Sequence, residues 1–357
     1  MKVYPYISCG FHEIKATVNL LAVYKDIKGI LAEESLWKGM KRKSYKQRKK
    51  ELINWYIKHK EVCKYYNSYG FDIEGFRNQD DYLPYRTFRI ERFLEDYPSS
   101  IYNNKLCILR DKILFSAFFG EALGKRFIVP TVGKIESNGM VKCFKDHKMM
   151  SLSKFIKNQS DELFVKKISG ECGDGCYLLS SDSDIDEFTQ TTKGSVFIIQ
   201  NKLVQHELIN RINPSCINTI RIITIVGKKS NSPHLFAQYM RVGCNAINDN
   251  RATGGVGVAI SRSGIMQKYG VGHHKVETRH SVTNHIYEGT IIPYWNEAVE
   301  LTINAHKALL DVPSIGWDVA ITPDGPVLIE GNDNWEISGA QDTTGGLKKE
   351  WYKIHEK

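Results

Sequence analysis

The chain has no long hydrophobic run, and this absence limits its class. None of its apolar stretches approaches the ~20 residues that a membrane-spanning helix needs. Residues 16–24 are apolar, but Thr17 and Asn19 interrupt them and no small-residue cleavage site follows, so we expect a helix of the folded protein and not a signal peptide. With 357 residues the chain can bury a substantial core.

Cysteines spaced for disulfides are also absent. The eight cysteines are scattered, which favours a reducing, cytoplasmic location. Cys172 and Cys176 stand four residues apart with no second Cys or His pair nearby, so we do not expect zinc there. The histidine-rich segment 273–285 lacks the spacing of a metal motif, and the sequence leaves its role open.

Acidic residues are scarce at the start of the chain. Residues 1–60 contain fourteen Lys or Arg but five Asp or Glu, an excess equal to the net +9 of the whole chain. Within this part, residues 41–60 have a basic amphipathic pattern that predicts a long helix. Such a helix either contacts a membrane or polysaccharide machinery peripherally, or packs on the core through its aromatic residues. No nucleic-acid reader motif accompanies the charge, so we expect no nucleic-acid partner.

The most informative stretch is residues 315–336, which predict a β-hairpin around the turn residues Pro323–Pro326. Asp318 lies near the start of the first strand, and Glu330 and Asn332 lie at the end of the second. A tight hairpin brings these three side chains together, and carboxylate and amide oxygens are the ligands that Mg²⁺ prefers. The alternative is a surface hairpin with polar turn formers.

This hairpin carries a resemblance to a known family. The pattern Asp, strand–turn–strand, Glu-x-Asn resembles the magnesium end of the ATP-grasp enzymes. The sugar-transfer-associated ATP-grasp family is the most similar, through Asn218–Arg221 and the segment from Asp249 to Gly255. The resemblance implies an α+β protein with the ATP-grasp fold, in which two α+β lobes clasp ATP, after a helical N-terminal region. We expect a helical, basic region over 1–104, an N-terminal lobe with a glycine-rich flap over 105–205, and a C-terminal lobe with the Mg²⁺ site over 206–357.

The resemblance also implies nucleotide-binding residues. Lys112, which opens an apolar helix, resembles the first nucleotide lysine of the family, although it can equally be an ordinary first-turn lysine. On the family's register Lys166 is the second lysine, but Lys167 stands where the family has proline, so the choice between the two stays open. A glycine-rich turn follows, which can lie over phosphates and close on ATP. The implied set is Lys112, Lys166, Gly170, Gly173, Gly175, the adenine hinge Gln200, Asn201, Lys202 and Leu203, and Glu207, which either contacts the ribose or is a surface acid.

Two arginines complete the predicted site. Arg221 lies in the middle of an apolar strand, and a buried arginine without an anion is costly, so we expect it to face the γ-phosphate. Arg241 ends another predicted strand and is the second basic candidate. The predicted catalytic residues are Arg221, Lys166 and Arg241; the substrate residues are Asn218, Thr219, Asp249, Asn250, Gly254 and Gly255; and the metal ligands are Asp318, Glu330 and Asn332.

The resemblance implies an ATP-dependent carboxylate–amine ligase that works through an acyl phosphate in cell-surface polysaccharide biosynthesis. It would use ATP with one or two Mg²⁺, and small-molecule or sugar-linked carboxylate and amine substrates. One alternative is a kinase on the same fold that phosphorylates a hydroxyl or an amide. A non-catalytic scaffold is the other, and the complete metal triad argues against it. The sequence does not identify the acceptor, the amine donor or the oligomeric state.

Overall fold

The computed structural model describes residues 20–85, 99–159, 161–168 and 175–356. The chain divides into two compact units. The first consists of Met1–Asp96, His274–Val276 and Gly345–Lys348, and the second of Tyr97–His273, Glu277–Thr344 and Lys349–Lys357. Among the predicted site residues, Gly170 and Gly173 lie outside the described residues.

The first unit is helical, as the sequence predicts. Residues 20–32 form α1, and Tyr45–His59 form α2. The Ser44 hydroxyl caps α2 by accepting a hydrogen bond from the Gln47 N–H, and α2 ends at Lys60, which adopts the left-handed conformation. The inner faces of both helices pack with a group of aromatic residues, so this unit has its own core; its members include Ile27, Ile30, Leu31, Leu52, Trp55, Tyr66, Tyr69, Phe71 and Tyr82.

The second unit contains two sheets. Over the described residues, one sheet has six strands in the order β3-β2-β1-β6-β4-β5, with antiparallel neighbours. Its side chains form a separate core that includes Val141, Val165, Phe197 and Ile199. The strands are β1 Thr131–Ile135, β2 Met140–Cys143, β3 Met149–Ser151, β4 Leu163–Lys167, β5 Cys176–Leu179 and β6 Phe197–Asn201.

The other sheet positions the candidate site. Within the described ranges it has seven strands in the order β11-β10-β9-β8-β7-β12-β13. β12 is buried along its whole length, because strands cover both its edges and helices cover a face. The strands are β7 Thr219–Val226, β8 Pro233–Val242, β9 Val256–Ile260, β10 Met266–Val271, β11 Val276–Glu277, β12 Ser314–Thr322 and β13 Gly325–Asn332.

Helices pack against these sheets through apolar faces. The helix Trp295–Lys307 (α8) buries Ala298, Leu301 and Ala305, three to four residues apart, against β7, β8, β12 and β13. No helix among the described residues is long and apolar enough to cross a bilayer. The remaining helices are α3 Ser99–Arg110, α4 Lys112–Leu123, α5 Leu152–Lys157, α6 Ile185–Thr191, α7 Glu207–Ile212, α9 Ile337–Thr344 and α10 Lys348–Glu356.

Candidate functional site

The predicted hairpin forms between β12 and β13. Asp318 pairs with Glu330 across the hairpin, and Gly316 pairs with Asn332, so the three polar residues lie on adjacent strands at neighbouring positions. The turn is shorter than predicted, because the second strand already begins at Gly325. The register shifts after Asp318, and such a bulge re-aims side chains.

Two arginines hold Asp318 from neighbouring strands. Arg221 on β7 donates from Nε to Oδ1 of Asp318 over 2.5 Å and from Nη2 to Oδ2 over 3.0 Å. Arg241 on β8 donates from Nη1 to the same Oδ2 over 2.6 Å, and its Nη2 lies 2.9 Å from Oδ1 of Asp249. The Thr219 backbone N–H donates to Oδ2 of Asp249 over 2.8 Å. The anion that Arg221 requires is therefore supplied within the protein by Asp318.

This network sets the charge states of the two carboxylates. Burial alone would raise the pKa of Asp318, but Arg221 and Arg241 outweigh burial and hold that pKa well below its usual value. Burial, together with the charge of Asp318, raises the pKa of Glu330, and Lys166 opposes that rise. The two carboxylates therefore differ, since Asp318 is firmly ionised and Glu330 takes up a proton more readily.

The two candidate phosphate lysines come to the same place. Burial lowers the pKa of Lys166, and Glu330 opposes the shift, so these side chains lie close enough for their charges to interact. Lys112 also influences Lys166, and its Nζ donates to the carbonyl oxygen of Ile168 over 3.1 Å. Lys166 thus lies in the electrostatic environment of Lys112, Glu330 and Asp318.

Of the three predicted flap glycines, Gly175 is described. It adopts φ of +69°, and a Cβ there would lie 2.8 Å from the Cβ of Lys167, so only glycine fits.

An ion pair that the sequence analysis missed joins the helix just before Lys112 to the residue that follows β13. Arg110, two residues before Lys112, forms a bidentate ion pair with Asp333, with Nε–Oδ1 and Nη2–Oδ2 distances of 3.1 Å and 2.7 Å. A Cβ at Gly331 would lie 2.9 Å from Cδ2 of Leu109, so glycine permits helix α3 to approach β13 this closely. Asp333 directly follows Asn332 in the sequence, and that adjacency is the signal that could have identified it.

The predicted substrate residue Asn218 is buried and fully engaged. Its Nδ2 donates to Oε1 of Gln205 over 3.0 Å and to the Asn213 carbonyl over 2.7 Å, and its Oδ1 accepts from the Gly243 N–H over 3.1 Å. These contacts join three chain segments, so Asn218 organises the end of β7.

The predicted substrate loop is tightly wound. The Asn250 side chain caps a short 3-10 helix by accepting from the Ala252 N–H over 3.1 Å, and Gly254 ends that helix with φ of +94°. A Cβ at Gly255 would lie 2.8 Å from the carbonyl oxygens of Asn250 and Val242. Both glycines are therefore required by the local backbone.

The predicted adenine hinge begins at the end of β6. Gln200 is buried, and its Nε2 donates to Oγ1 of Thr131 over 3.3 Å, whereas its Oε1 is buried without a hydrogen-bond partner among the described residues. The Asn201 backbone N–H is used by the Pro130 carbonyl over 3.0 Å.

The hinge continues into α7. Lys202 is exposed and forms an ion pair of 2.5 Å with Glu162, and Leu203 is half-buried. Glu207 is exposed in the first turn of α7 and pairs with Arg211 one turn later, so the structure does not bring it into the carboxylate cluster.

Two histidines of the segment that the sequence left open stabilise loops. Nε2 of the buried His280 lies 3.0 Å from the Gly243 carbonyl oxygen, and its Nδ1 lies 3.0 Å from Oγ1 of Thr283. Nε2 of His285 lies 2.9 Å from Oγ1 of Thr290.

The fold uses the candidate metal ligands to different extents. Asp318 accepts one arginine hydrogen bond at Oδ1 and two at Oδ2, and its carboxylate also lies within hydrogen-bond reach of the Glu330 carboxyl group. Asn332 uses its Nδ2 as a donor to Glu330 and Gly316, and its amide oxygen accepts no hydrogen bond from a described residue. Within the described ranges, no three His, Cys, Asp or Glu side chains form a metal-binding group by themselves. The candidate set is thus two carboxylates and an amide.

Comparisons with solved structures give distant likenesses. An N5-carboxyaminoimidazole ribonucleotide synthetase in complex with ADP has 14% identity and a TM-score of 0.40, over 68% of this chain and 53% of that one. The ATP-grasp ligase PsnB with a minimal precursor has 11% identity and a TM-score of 0.38, over 70% and 62%. The D-alanine–D-alanine ligase from Coxiella burnetii has 13% identity and a TM-score of 0.35, over 70% and 54%. The chain thus spans a little over half of the length of these proteins.

The family comparison concerns the part of the chain that carries the hairpin. No curated protein matches the sequence. Residues 188–355 match the family model described as sugar-transfer associated ATP-grasp, and they include both arginines and all three candidate metal ligands. This match confirms the resemblance carried by Asn218–Arg221 and the hairpin. The α+β architecture with two antiparallel sheets likewise agrees with the predicted fold. Residues 188–355, a little under half of the chain, are thus similar to the sugar-transfer associated ATP-grasp family.

Proposed function

We propose that the protein is an ATP- and Mg²⁺-dependent carboxylate–amine ligase that activates an acid as an acyl phosphate and then forms an amide. The observation that supports this proposal most is the hairpin register, which sets Asp318 opposite Glu330 and Gly316 opposite Asn332, with Lys166 close enough for its charge to interact with both carboxylates. Catalysis of phosphoryl transfer consists largely of positioning phosphates and neutralising their charge, and these residue types suit that task.

The hairpin residues fit Mg²⁺. Asp318 is held ionised, and the amide oxygen of Asn332 has no donor among the described residues. A nearby cation would favour the ionised form of Glu330, whose pKa is otherwise raised. Asp318, Glu330 and Asn332 would hold one or two Mg²⁺, which would supply positive charge to the phosphate oxygens.

The neighbouring residues fit ATP. Lys112 and Lys166 would hold the α- and β-phosphates. The buried Oε1 of Gln200, which has no partner among the described residues, suits a donor such as the adenine amino group. The rest of the hinge, residues 201–203, would contact adenine through its backbone, and Glu207 would bind the ribose.

The two arginines would contribute to the metal site and to the transfer of the phosphoryl group. Arg221 and Arg241 keep Asp318 in place, and Nη1 of Arg221 makes no hydrogen bond to a described residue, so it can donate to the transferring phosphoryl group. The substrates would be a small-molecule or sugar-linked acid and an amine. We assign their binding to the buried hydrogen-bond network around Asn218 and Asp249 and to the loop that contains Asn250. Cell-surface polysaccharide biosynthesis is the proposed pathway, and the scattered spacing of the cysteines favours a cytoplasmic location. The substrate set is Asn218, Thr219, Asp249, Asn250, Gly254 and Gly255.

Trapping the acyl phosphate tests the proposal. The full chain is incubated with ATP, Mg²⁺, pooled amino acids and uronic acids, and hydroxylamine, which replaces the amine and converts an acyl phosphate into a hydroxamate. We expect hydroxamate and inorganic phosphate in equal amounts. A product that retains the phosphate, without hydroxamate, would identify a kinase and overturn the ligase assignment.

The matched variants are Glu330→Gln and Glu288→Gln. Both remove one carboxylate, but Glu288 is exposed and forms no ion pair with a described residue. We expect Glu330→Gln to abolish ATP turnover without unfolding the protein, whereas Glu288→Gln should keep it. Normal turnover by Glu330→Gln at saturating Mg²⁺ would contradict the metal assignment.

A further inference from the structure

Helix α2 of the first unit has two different faces. Its inner face buries Arg48, Leu52 and Trp55. Its outward face carries Lys46, Lys49 and Lys50, followed one turn later by Ile53 and then by Ile57, all exposed. These positions recur every three to four residues and therefore share one side of the helix.

The outward lysines differ from two other lysines in and beside α2. Lys43 pairs with Glu51 over 3.0 Å, and Lys58 pairs with Asp80 over 2.5 Å. Lys46, Lys49 and Lys50 have no ion-pair partner among the described residues. The positive charge of the outward face is therefore not neutralised within the described part of the chain.

The same face exposes aliphatic surface. Ile53 is 38% exposed and Ile57 is 59% exposed, one turn apart on the same stripe as the lysines. Single exposed isoleucines are ordinary, but a pair flanked by unpaired lysines forms a surface that is both apolar and cationic. Helix α1 repeats this composition on its exposed residues, with Leu20, Leu21 and Tyr24 beside two lysines.

We propose that the outward face of α2 docks on an anionic lipid bilayer. The lysines would lie among acidic headgroups, and Ile53 and Ile57 would enter the boundary of the acyl region. An anionic polymer explains the lysines but gives no reason for the isoleucines. A surface that binds an anionic polymer would also be expected to present arginine, whose planar guanidinium binds phosphate or carboxylate in a bidentate manner. The arginine of α2, Arg48, instead turns inward and donates to the Leu31 carbonyl over 3.2 Å.

Vesicle binding by the full chain tests this proposal. We compare phosphatidylcholine vesicles with vesicles that also contain about 30% phosphatidylglycerol, at low and at physiological salt. We expect binding only to the acidic vesicles, weakening as salt screens the charges. The triple variant Lys46→Gln, Lys49→Gln, Lys50→Gln should bind about 100-fold more weakly. The control is Lys229→Gln, Lys268→Gln, Lys307→Gln, which removes three exposed lysines of the second unit and should bind as the wild type does.

The double variant Ile53→Ser, Ile57→Ser separates a bilayer from a charged polymer. It keeps every lysine, so we expect about tenfold weaker binding to acidic vesicles and unchanged binding to dextran sulfate. The proposal is wrong if the wild type ignores acidic vesicles, or if this variant binds them as the wild type does. Circular dichroism confirms that each variant is folded, and ATP binding should be unchanged in all of them because the altered side chains are exposed.

Discussion

Cationic side chains occur in two opposite settings in this protein. In the second unit, Arg221 and Arg241 are largely buried, and each lies against a carboxylate. In the first unit, Lys46, Lys49 and Lys50 are exposed and have no acidic partner among the described residues. A buried cation requires an anion, whereas an exposed one is solvated by water. The buried set therefore organises a site within the fold, and the exposed set remains available to an external partner.

The largest effect should follow from removing the anion of the buried set. Asp318→Asn leaves Arg221 and Arg241 short of a shared carboxylate, and breaking a buried ion pair costs about 3–5 kcal/mol of unfolding free energy. Urea titration measures this loss, and ATP turnover should disappear as well. Glu330→Gln is the comparison, because Glu330 makes no bidentate arginine contact, and it should lose turnover with little loss of stability. Equal stability of the two variants would contradict the structural role given to Asp318.

The sequence allowed the hairpin to be predicted but not the ion pairs across the sheet. Alternating apolar residues and a Pro-Asp-Gly-Pro turn are local signals, so Asp318 and Glu330 could be placed opposite each other. The pairing of β7 with β12 joins residues 97 positions apart, and no local pattern encodes it. For that reason the sequence indicates a phosphate as the anion of Arg221 but gives no sign of Asp318 as its partner within the fold.

Contacts between distant parts of the chain account for the other site features that the sequence did not predict. Arg110 and Asp333 are 223 positions apart, so their pairing depends on how α3 docks on β13. Asn218 matches a family motif, yet its side chain is taken up by hydrogen bonds within the fold. A motif indicates that a residue type is needed, but only the tertiary packing shows which atoms remain free for a ligand.

A buried neutral histidine should make the stability of the second unit depend on pH, unlike the exposed lysines. His306 packs in the core with Nδ1 2.6 Å from Oγ1 of Thr224 and Nε2 2.6 Å from the Val312 carbonyl oxygen. Burial lowers its pKa to about 4, below the usual 6.5, although the Val312 carbonyl opposes the shift. Between pH 4 and pH 6.5 the unfolded chain binds more protons at this histidine than the folded protein does. The contribution of neutral His306 to the free energy of unfolding is therefore complete above pH 6.5 and is lost as pH falls towards 4.

Urea titrations at pH 7 and pH 5 measure this contribution, which should amount to about 2 kcal/mol. Glu330 and Asp249 have raised pKa values and oppose the trend, so the wild type is compared with His306→Gln. Between pH 7 and pH 5 the free energy of unfolding should fall by about 2 kcal/mol less in the variant than in the wild type. An identical pH dependence of the two proteins would show that His306 does not carry it.

A smaller effect should follow from breaking the pair that positions Lys112. Arg110→Ala leaves the buried carboxylate of Asp333 without its bidentate partner. Because Arg110 lies two residues before Lys112, we expect the Kd for ATP to rise about tenfold, which is about 1.4 kcal/mol, with kcat changing less. Isothermal titration with ATP–Mg²⁺ measures it. Arg126→Ala is the control, since Arg126 is exposed, forms no ion pair with a described residue and lies over the ring of Phe127. A purely structural role would lower stability and leave ATP affinity in the folded protein unchanged.

The smallest effect, and one of opposite sign, is expected for the exposed set. Lys46 lies three and four residues before Lys49 and Lys50, and like charges at these spacings destabilise a helix by about 0.2–0.5 kcal/mol per pair. The triple change of these lysines to Gln should therefore leave stability unchanged or raise it by up to about 1 kcal/mol at low salt, with the gain shrinking as salt screens the repulsion. Thermal and urea unfolding at two salt concentrations measure this. A loss above 1 kcal/mol would mean that the lysines contribute to the fold, and the contrast with the buried arginines would fail. A gain would mean that the chain retains a repulsive cluster that folding does not need, as is expected of a surface kept for binding.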